Sequence, residues 1–268
     1  MSPAQGNDWS PGAYGRFRGF RLRPALDLLA QVPHSLPEGD VIDLGCGAGA
    51  AAPALAARFP GRDLVGLDAS PAMLAEAAAT ACYHVLEEVD IARWQPGAPP
   101  ALIFSNAALQ WVPDHATLLP RLAAMLAPGG VLAVQVPDQQ DAPSHRLLRE
   151  VSAALFPDRF DWTGWQPEVL APEAMEALVA PFGAATVWRT VYYQRLAPPP
   201  AATPPAHPVR AFTESTAARP VLVRLDPAEQ ARFLSGYDVA LAAAYPPAPD
   251  GSVLFPFARS FLVLQRDG

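Results

Sequence analysis

Apolar residues recur along this chain in two distinct rhythms. Leu22, Leu26, Leu29 and Val32 fall at helical spacing, with Pro24 placed in a first turn, where it is tolerated. The stretch from Pro33 to Gly39 breaks that helix. A regular alternation follows. Val41-Ile42-Asp43-Leu44 is a short apolar strand, Ala50 to Phe59 an alanine-rich helix, and Asp63 to Asp68 a second strand ending in an acid. Ser70-Pro71 opens the next helix with an N-cap and a proline at its first position. Tyr83 to Val89 reads as a third strand closed by Asp90, and Ala101 to Ser105 as a fourth. Asp114 caps a helix through Ala127, which Pro128-Gly129-Gly130 stops before the strand Val131 to Val136. Strands separated by helices of this length predict a parallel sheet with helices on both faces, a doubly wound α/β fold.

After Pro137 the rhythm changes. Leu147 to Phe156 and Pro172 to Val179 read as helices, joined by a loop holding Trp162-Thr163-Gly164-Trp165. Thr186 to Leu196 is strand-like and aromatic. Ala197 to Pro208 is proline-rich and reads as a stiff connection without regular structure. Residues 209–245 read as helical, and Val253 to Leu264 as a closing strand. No internal repeat is visible.

Composition narrows the class. A chain of 268 residues can hold one large domain, or one domain with a sizeable cap. The 32 prolines are separated by apolar periodic segments, which excludes wholesale disorder. A formal charge of −7 and the lack of any basic block argue against a nucleic-acid partner. Arg16, Arg18, Arg21 and Arg23 make one local cluster, readable as a solvated helix face or as a grip for an anion. Two cysteines, Cys46 and Cys82, are too few for a zinc cluster and fit a reducing compartment, so no metal is expected. Met1 to Trp9 is polar, and no apolar run approaches the ~18 residues that span a bilayer. The expectation is a soluble cytoplasmic protein, monomeric or weakly dimeric, with no membrane partner.

The candidate chemistry lies in Asp43-Leu44-Gly45-Cys46-Gly47-Ala48-Gly49, a glycine turn between a strand and a helix. Such a turn lets backbone approach a ligand and offers amide groups at a helix start. Gly45-x-Gly47-x-x-Ala50 also satisfies the dinucleotide fingerprint, with Asp68 at the distance of a ribose-binding acid. A bare structural turn is a third reading. Asp43, two residues before the first glycine, suits a ligand ammonium group and not a pyrophosphate. Asp90-Ile91 can meet an adenine amino group and ring face. Asn106 to Trp111 makes a polar exit followed by a large aromatic. Together these describe a zwitterionic nucleoside, S-adenosylmethionine, better than a dinucleotide.

With these motifs in hand, the chain resembles the class I S-adenosylmethionine-dependent methyltransferases, through Val41 to Gly49, Asp68, Asp90-Ile91 and Pro128-Gly129-Gly130. More narrowly it is similar to the trans-aconitate 2-methyltransferase family. That likeness rests on Trp9-Ser10-Pro11, Arg23-Pro24-Ala25-Leu26, Gln110-Trp111-Val112-Pro113-Asp114-His115, Trp188 with Thr190-Val191-Tyr192, and Ala243-Ala244-Tyr245-Pro246-Pro247. The run from Ala211 to Pro220 departs from the family, keeping only Thr216, Arg219 and Pro220, and Pro157 to Pro172 matches poorly.

The resemblance implies a Rossmann-like, seven-stranded sheet with a helical cap. Residues 1–37 would form an N-terminal flap, 38–137 the cofactor-binding core, and 138–185 and 197–250 cap insertions, with 186–196 and 252–266 completing the sheet. Cofactor contacts would come from Tyr14, Asp43, Gly45, Gly47, Asp68, Ala69, Met73, Asp90, Ile91, Asn106 and Trp111. Acceptor candidates are Phe17, Arg23, His115, Trp162, Trp165, Arg219 and Tyr245, against bland readings as core, cap or surface ion pair. The implied reaction is methyl transfer to a carboxylate oxygen of a small polyacid. A carboxylate is already ionised at neutral pH, so no general base is needed and no catalytic residue is named. Other readings are a same-fold enzyme that cyclises the cofactor to 5′-methylthioadenosine, methylation of a secondary-metabolite acceptor, or a non-catalytic cofactor-binding module.

Overall fold

A computed structural model of the chain describes residues 18–167, 169–199, 206–214 and 216–268, with side chains from Leu22 onward. Tyr14, Arg16 and Phe17, three of the residues singled out above, lie outside the described residues. The described chain divides into two compact units.

The first unit takes in the described residues of 1–137, 168–190 and 259–268. It opens with helix α1 (Arg18–Gln31). The helix begins earlier than the leucine spacing predicts, so Pro24 lies in its interior and leaves the carbonyl one turn back without an intrahelical donor. Its buried face is Ala25, Leu28, Leu29 and Val32, whereas Leu26 stays exposed. Then come β1 (Val41–Leu44), α2 (Ala52–Arg58), β2 (Leu64–Asp68), α3 (Pro71–Ala78), β3 (Val85–Glu88) and β4 (Leu102–Asn106). Next are α4 (His115–Met125), β5 (Val131–Pro137) and, after residue 168, α6 (Pro172–Val179), numbered after α5 of the second unit. Strands β6 (Gly183–Leu196) and β7 (Val253–Arg266) each carry residues of both units.

The seven strands form one sheet in the order β3-β2-β1-β4-β5-β7-β6. Strands β1 to β5 pair in parallel, and β7 runs antiparallel to β5 with Gln135 opposite Phe261 and Pro137 opposite Arg259. Edge strand β3 is shorter than the pattern predicts and carries exposed Glu87 and Glu88, charges that discourage pairing with another chain.

One sheet face is apolar. Ile42, Leu44, Ile103, Leu132, Val134, Val136, Leu262 and Leu264 pack with Leu118, Leu119 and Leu122 of α4. Met175 and Val179 of α6 join the same cluster. The pattern groups α6 with a cap insertion, but these two side chains place it in the sheet's own core. Ser70 and Asp114 cap α3 and α4 as their sequence positions predict, each accepting from a backbone N–H in the first turn.

The second unit takes in the described residues of 138–167 and 191–258. It holds α5 (Pro143–Leu155), α7 (Pro208–Thr213), α8 (Arg219–Leu222) and α9 (Pro227–Ala244). The single helical run read over 209–245 is therefore three helices. Asp226-Pro227 restarts the last with a full capping box to Glu229. Pro208, read as part of an irregular tract, instead begins α7, where the His207 ring accepts from Val209 N–H. Phe212, Tyr245, Phe255 and Phe257 form an aromatic core, and Tyr237 donates its hydroxyl to the Ser144 carbonyl at 2.6 Å.

One side chain ties the first unit's apolar helix layer to the loop after β3. Arg121 on α4 donates to the carbonyls of Trp94 at 2.6 Å and Ile91 at 2.7 Å. Both bonds are charge-assisted, so Arg121→Met leaves two carbonyls without their donor. The expected cost is roughly 2–4 kcal/mol. A lower urea midpoint checks it; an unchanged midpoint would show that the strap is dispensable.

Candidate cofactor site

The turn after β1 is held from beneath by the end of β2. Gly45 N–H and Cys46 N–H both donate to the Leu67 carbonyl, at 2.7 and 2.9 Å. Gly47 N–H donates to Asp68 Oδ2 at 2.8 Å, while Asp68 Oδ1 accepts from Ser70 N–H at 2.9 Å. Asp68 thus fixes the turn and the start of α3 together.

The glycines differ in purpose. At Gly45 (φ +78°) an added Cβ would sit 2.2 Å from the Ala108 Cβ, so this glycine permits close packing of the loop after β4. At Gly47 (φ +53°) an added Cβ would meet nothing within 4 Å. Bare backbone facing open space is the surface a ligand can approach.

Asp43 is buried, at 2% exposure, and its Oδ2 accepts from the Tyr83 hydroxyl at 2.7 Å. The ring of Tyr83 reaches it across Gly66, where an added Cβ would lie 2.7 Å from the ring. Burial pushes the Asp43 carboxyl up to about 7; the Tyr83 hydrogen bond opposes this and the nearby Asp68 charge adds to it. Burial also raises Tyr83 and the Cys46 thiol, so both stay protonated at neutral pH. No sequence signal marks Tyr83. It reads as an ordinary strand residue, and only the missing side chain at Gly66 hints at a neighbour crossing there.

Ile91 is buried in the apolar cluster, and its Cδ1 lies 3.4 Å from where a Gly45 Cβ would be. Asp90 is exposed, accepting from Ala92 N–H at 2.9 Å and lying 3.9 Å from Arg93 Nε. Met73 is buried one turn into α3, and Ala69 is exposed between β2 and that helix.

The loop after β4 adds Asn106, Gln110 and half-buried Trp111. Ala107 there has a left-handed backbone (φ +56°), an arrangement that costs an alanine about 1 kcal/mol. Its N–H donates to the Gln135 carbonyl and its carbonyl accepts from Gln110 Nε2. Asn106 Oδ1 and Gln110 Oε1 are buried with no hydrogen-bond partner among the described residues. Buried acceptors, an open Gly47 and a buried acid at Asp43 fit a ligand carrying an ammonium group and hydroxyls.

The acceptor candidates are differently placed. Arg23 is 77% exposed at its side chain and lies 3.9 Å from Asp27 one turn on, a solvent-facing pair. His115 is buried at the start of α4, with Nε2 2.8 Å from the Leu109 carbonyl, which gives it a role in the helix start. The other four belong to the second unit. Trp162 stacks on Phe160 and donates to Ser152 Oγ, and Trp165 lies under the Arg149 guanidinium at 3.9 Å. Tyr245 is buried, its hydroxyl accepting from Ser144 N–H. Arg219 is half-buried at the start of α8.

Comparison with known proteins agrees with this geometry. A methyltransferase-domain family matches residues 14–183. Trans-aconitate 2-methyltransferase of Methylobacterium radiotolerans is 44% identical over 97% of this chain and 98% of its own. Its counterpart in Paracidovorax citrulli is 42% identical over 97% and 99%. The chain belongs to the trans-aconitate 2-methyltransferase family. It is accordingly an S-adenosylmethionine-dependent methyltransferase of class I. Solved structures share the fold. The YcgJ protein of Bacillus subtilis superposes with a TM-score of 0.56 at 15% identity, over 92% of this chain and 100% of that one. A Haemonchus contortus phosphoethanolamine N-methyltransferase, solved with S-adenosylhomocysteine, gives 0.51 at 16% identity over 91% of this chain and 53% of its own. The dinucleotide, bare-turn and binding-module readings give way to the methyl donor.

Two outcomes follow from the site. The folded protein holds the Asp43 proton to about pH 7, far above the ordinary carboxyl value of 3.8. Native Asp43 therefore binds more protons than unfolded Asp43 between these values, and stability falls as pH rises through that window. Asp43→Asn is expected to raise the melting temperature at pH 8 and to leave it unchanged near pH 4; an equal effect at both would refute the burial argument. Gly47→Ala should cost the fold only about 1 kcal/mol, because nothing stands in the way of the methyl group. Calorimetry should nevertheless show much weaker S-adenosylhomocysteine binding, and unaltered binding would remove Gly47 from the site.

Proposed function

We propose that this methyltransferase transfers the methyl group to a carboxylate oxygen of a small polyacid of the trans-aconitate type. The observation that carries the reading is that likeness to enzymes of that name spans 97% of the chain, beyond the cofactor motifs. Cofactor contacts are assigned to Asp43, Gly45, Gly47, Asp68, Ala69, Met73, Asp90, Ile91, Asn106 and Trp111, with Tyr14 from the N-terminal segment. Gly45 acts through packing and Gly47 through direct approach. Residues 138–185 and 197–250, less α6, are read as acceptor-selecting insertions and 1–37 as a flap. Phe17 and Arg219 remain acceptor candidates. Placement in the cytoplasm as a monomer or weak dimer, without nucleic-acid partners, belongs to the same reading.

When bound, S-adenosylmethionine supplies a methyl group activated by its own sulfonium charge. The acceptor carboxylate is ionised near neutral pH, so the chain has no proton to remove. Its work is positional. Asn106 and the left-handed Ala107 shape the loop at the end of β4, and holding the nucleophile in line with the methyl group and away from bulk water is what would speed the transfer. Loss of any one contact should therefore slow the reaction without changing its pH profile through a missing base.

Incubation with methyl-labelled cofactor and a panel of small carboxylic acids, followed by mass spectrometry, tests this reading. A base-labile ester with equimolar S-adenosylhomocysteine is expected from a polyacid such as trans-aconitate. Label on nitrogen or carbon, or release of 5′-methylthioadenosine, would overturn it.

A further inference from the structure

Strand register places a line of polar residues on the sheet face opposite the apolar cluster. Asp43 on β1 pairs with Phe104 on β4, Asn106 two residues on pairs with Gln135 on β5, and Gln135 pairs with Phe261 on β7. Arg259 lies two residues from Phe261, opposite Pro137. Directly paired residues point to the same side of a sheet, as do residues two apart on one strand. Asp43, Asn106, Gln135 and Arg259 therefore share one face and run from β1 toward β7. All four belong to the first unit.

The far end of that line is built from donors. Arg259 is 3% exposed and Gln135 is fully buried, and Arg259 Nη1 donates to Gln135 Oε1 at 2.8 Å. A guanidinium has no acceptor atom, so this bond fixes which end of the amide faces it. Gln135 Nε2 is left as a buried donor with no partner among the described residues. An unpartnered amide N–H beside a buried positive charge suits an anionic acceptor, and a carboxylate can take the amide with one oxygen while the other lies toward the guanidinium. In open α/β sheets ligands bind at the carboxyl ends of the strands, where the Asn106–Gln135 pair lies. The cofactor contacts assigned above follow β1 to β4, which leaves the β5–β7 side for the acceptor.

We infer that Arg259 and Gln135 form the anion-binding subsite of the acceptor, clamping a carboxylate of the polyacid other than the one that is methylated. The inference rests on the proposed carboxylate acceptor. The clamp gives the acceptor a fixed end, so that its reacting oxygen is directed toward the Asn106 side of the face. Neither residue stands out in the sequence: Gln135 sits inside an apolar strand and Arg259 inside the closing one. The Trp188 ring, stacked on Phe261 at 4.7 Å, flanks the same face.

Calorimetric titration of the S-adenosylhomocysteine complex with trans-aconitate reads the clamp without turnover. Gln135→Glu is the sharper variant. It places a carboxylate against the guanidinium, preserves any structural link between β5 and β7, and fills the subsite from within. Acceptor affinity is expected to fall by roughly 30-fold or more, with S-adenosylhomocysteine affinity within about twofold and the melting temperature maintained. Arg259→Lys keeps the charge but loses the fork, and should fall between wild type and Gln135→Glu. If Gln135→Glu folds and binds trans-aconitate as wild type does, the subsite is wrong, although labelled ester from the wild-type protein would still uphold the carboxylate acceptor. Weakened binding in both variants, with label found on nitrogen or carbon in other acceptors, would keep the anion subsite and sink the reaction assignment.

Discussion

The close approach of the loop after β4 to the turn after β1 sets the rest of the site. Gly45 and Ala108 leave no room for one more methyl group between them. That contact holds the loop carrying Asn106, Ala107 and Gln110 against the turn that carries Gly47. Ala107, next to Ala108, keeps its left-handed conformation with its N–H and carbonyl both engaged, to Gln135 and Gln110. Asp68 completes the frame by tying Gly47 to the first turn of α3. The candidate cofactor site thus begins as a packing problem between two loops and a carboxylate.

The doubly wound half of the fold is legible in the chain because its signals are local. Short apolar strands, the caps at Ser70 and Asp114 and the stop at Pro128-Gly129-Gly130 each act over a few residues. Errors arise where tertiary packing decides. Pro24 lies inside α1 because burial of Ala25, Leu28 and Leu29 outweighs one lost hydrogen bond. The run over 209–245 breaks because Asp226 and Glu229 cap a new helix, a feature of two side chains inside an otherwise helical composition.

The candidate site divides along the same line. Gly47, Asp43 and Asp68 can be found from motif position alone. Tyr83 and Arg121 cannot, since each acts on residues 27 to 40 positions away, through a bare Gly66 in one case and through backbone carbonyls in the other. Arg219, Arg23 and the two tryptophans draw attention in the sequence as charged or aromatic residues. The structure shows instead an enclosed guanidinium at Arg259, bonded to Gln135 and hidden in a strand whose pattern is mostly apolar.

Sheet order carries a cost for folding. Strand β7, later in the chain than every other strand, occupies the slot between β5 and β6. During synthesis β6 therefore emerges without a neighbour, fourteen residues long, with Tyr193 and Val191 exposed along it. The long-range pairing that rescues it waits for more than fifty further residues, a high-contact-order step that exposes an unpaired strand edge meanwhile. A nascent chain of this design spends its longest vulnerable interval with the donor turn already foldable and the Gln135–Arg259 end of the sheet still missing its second half.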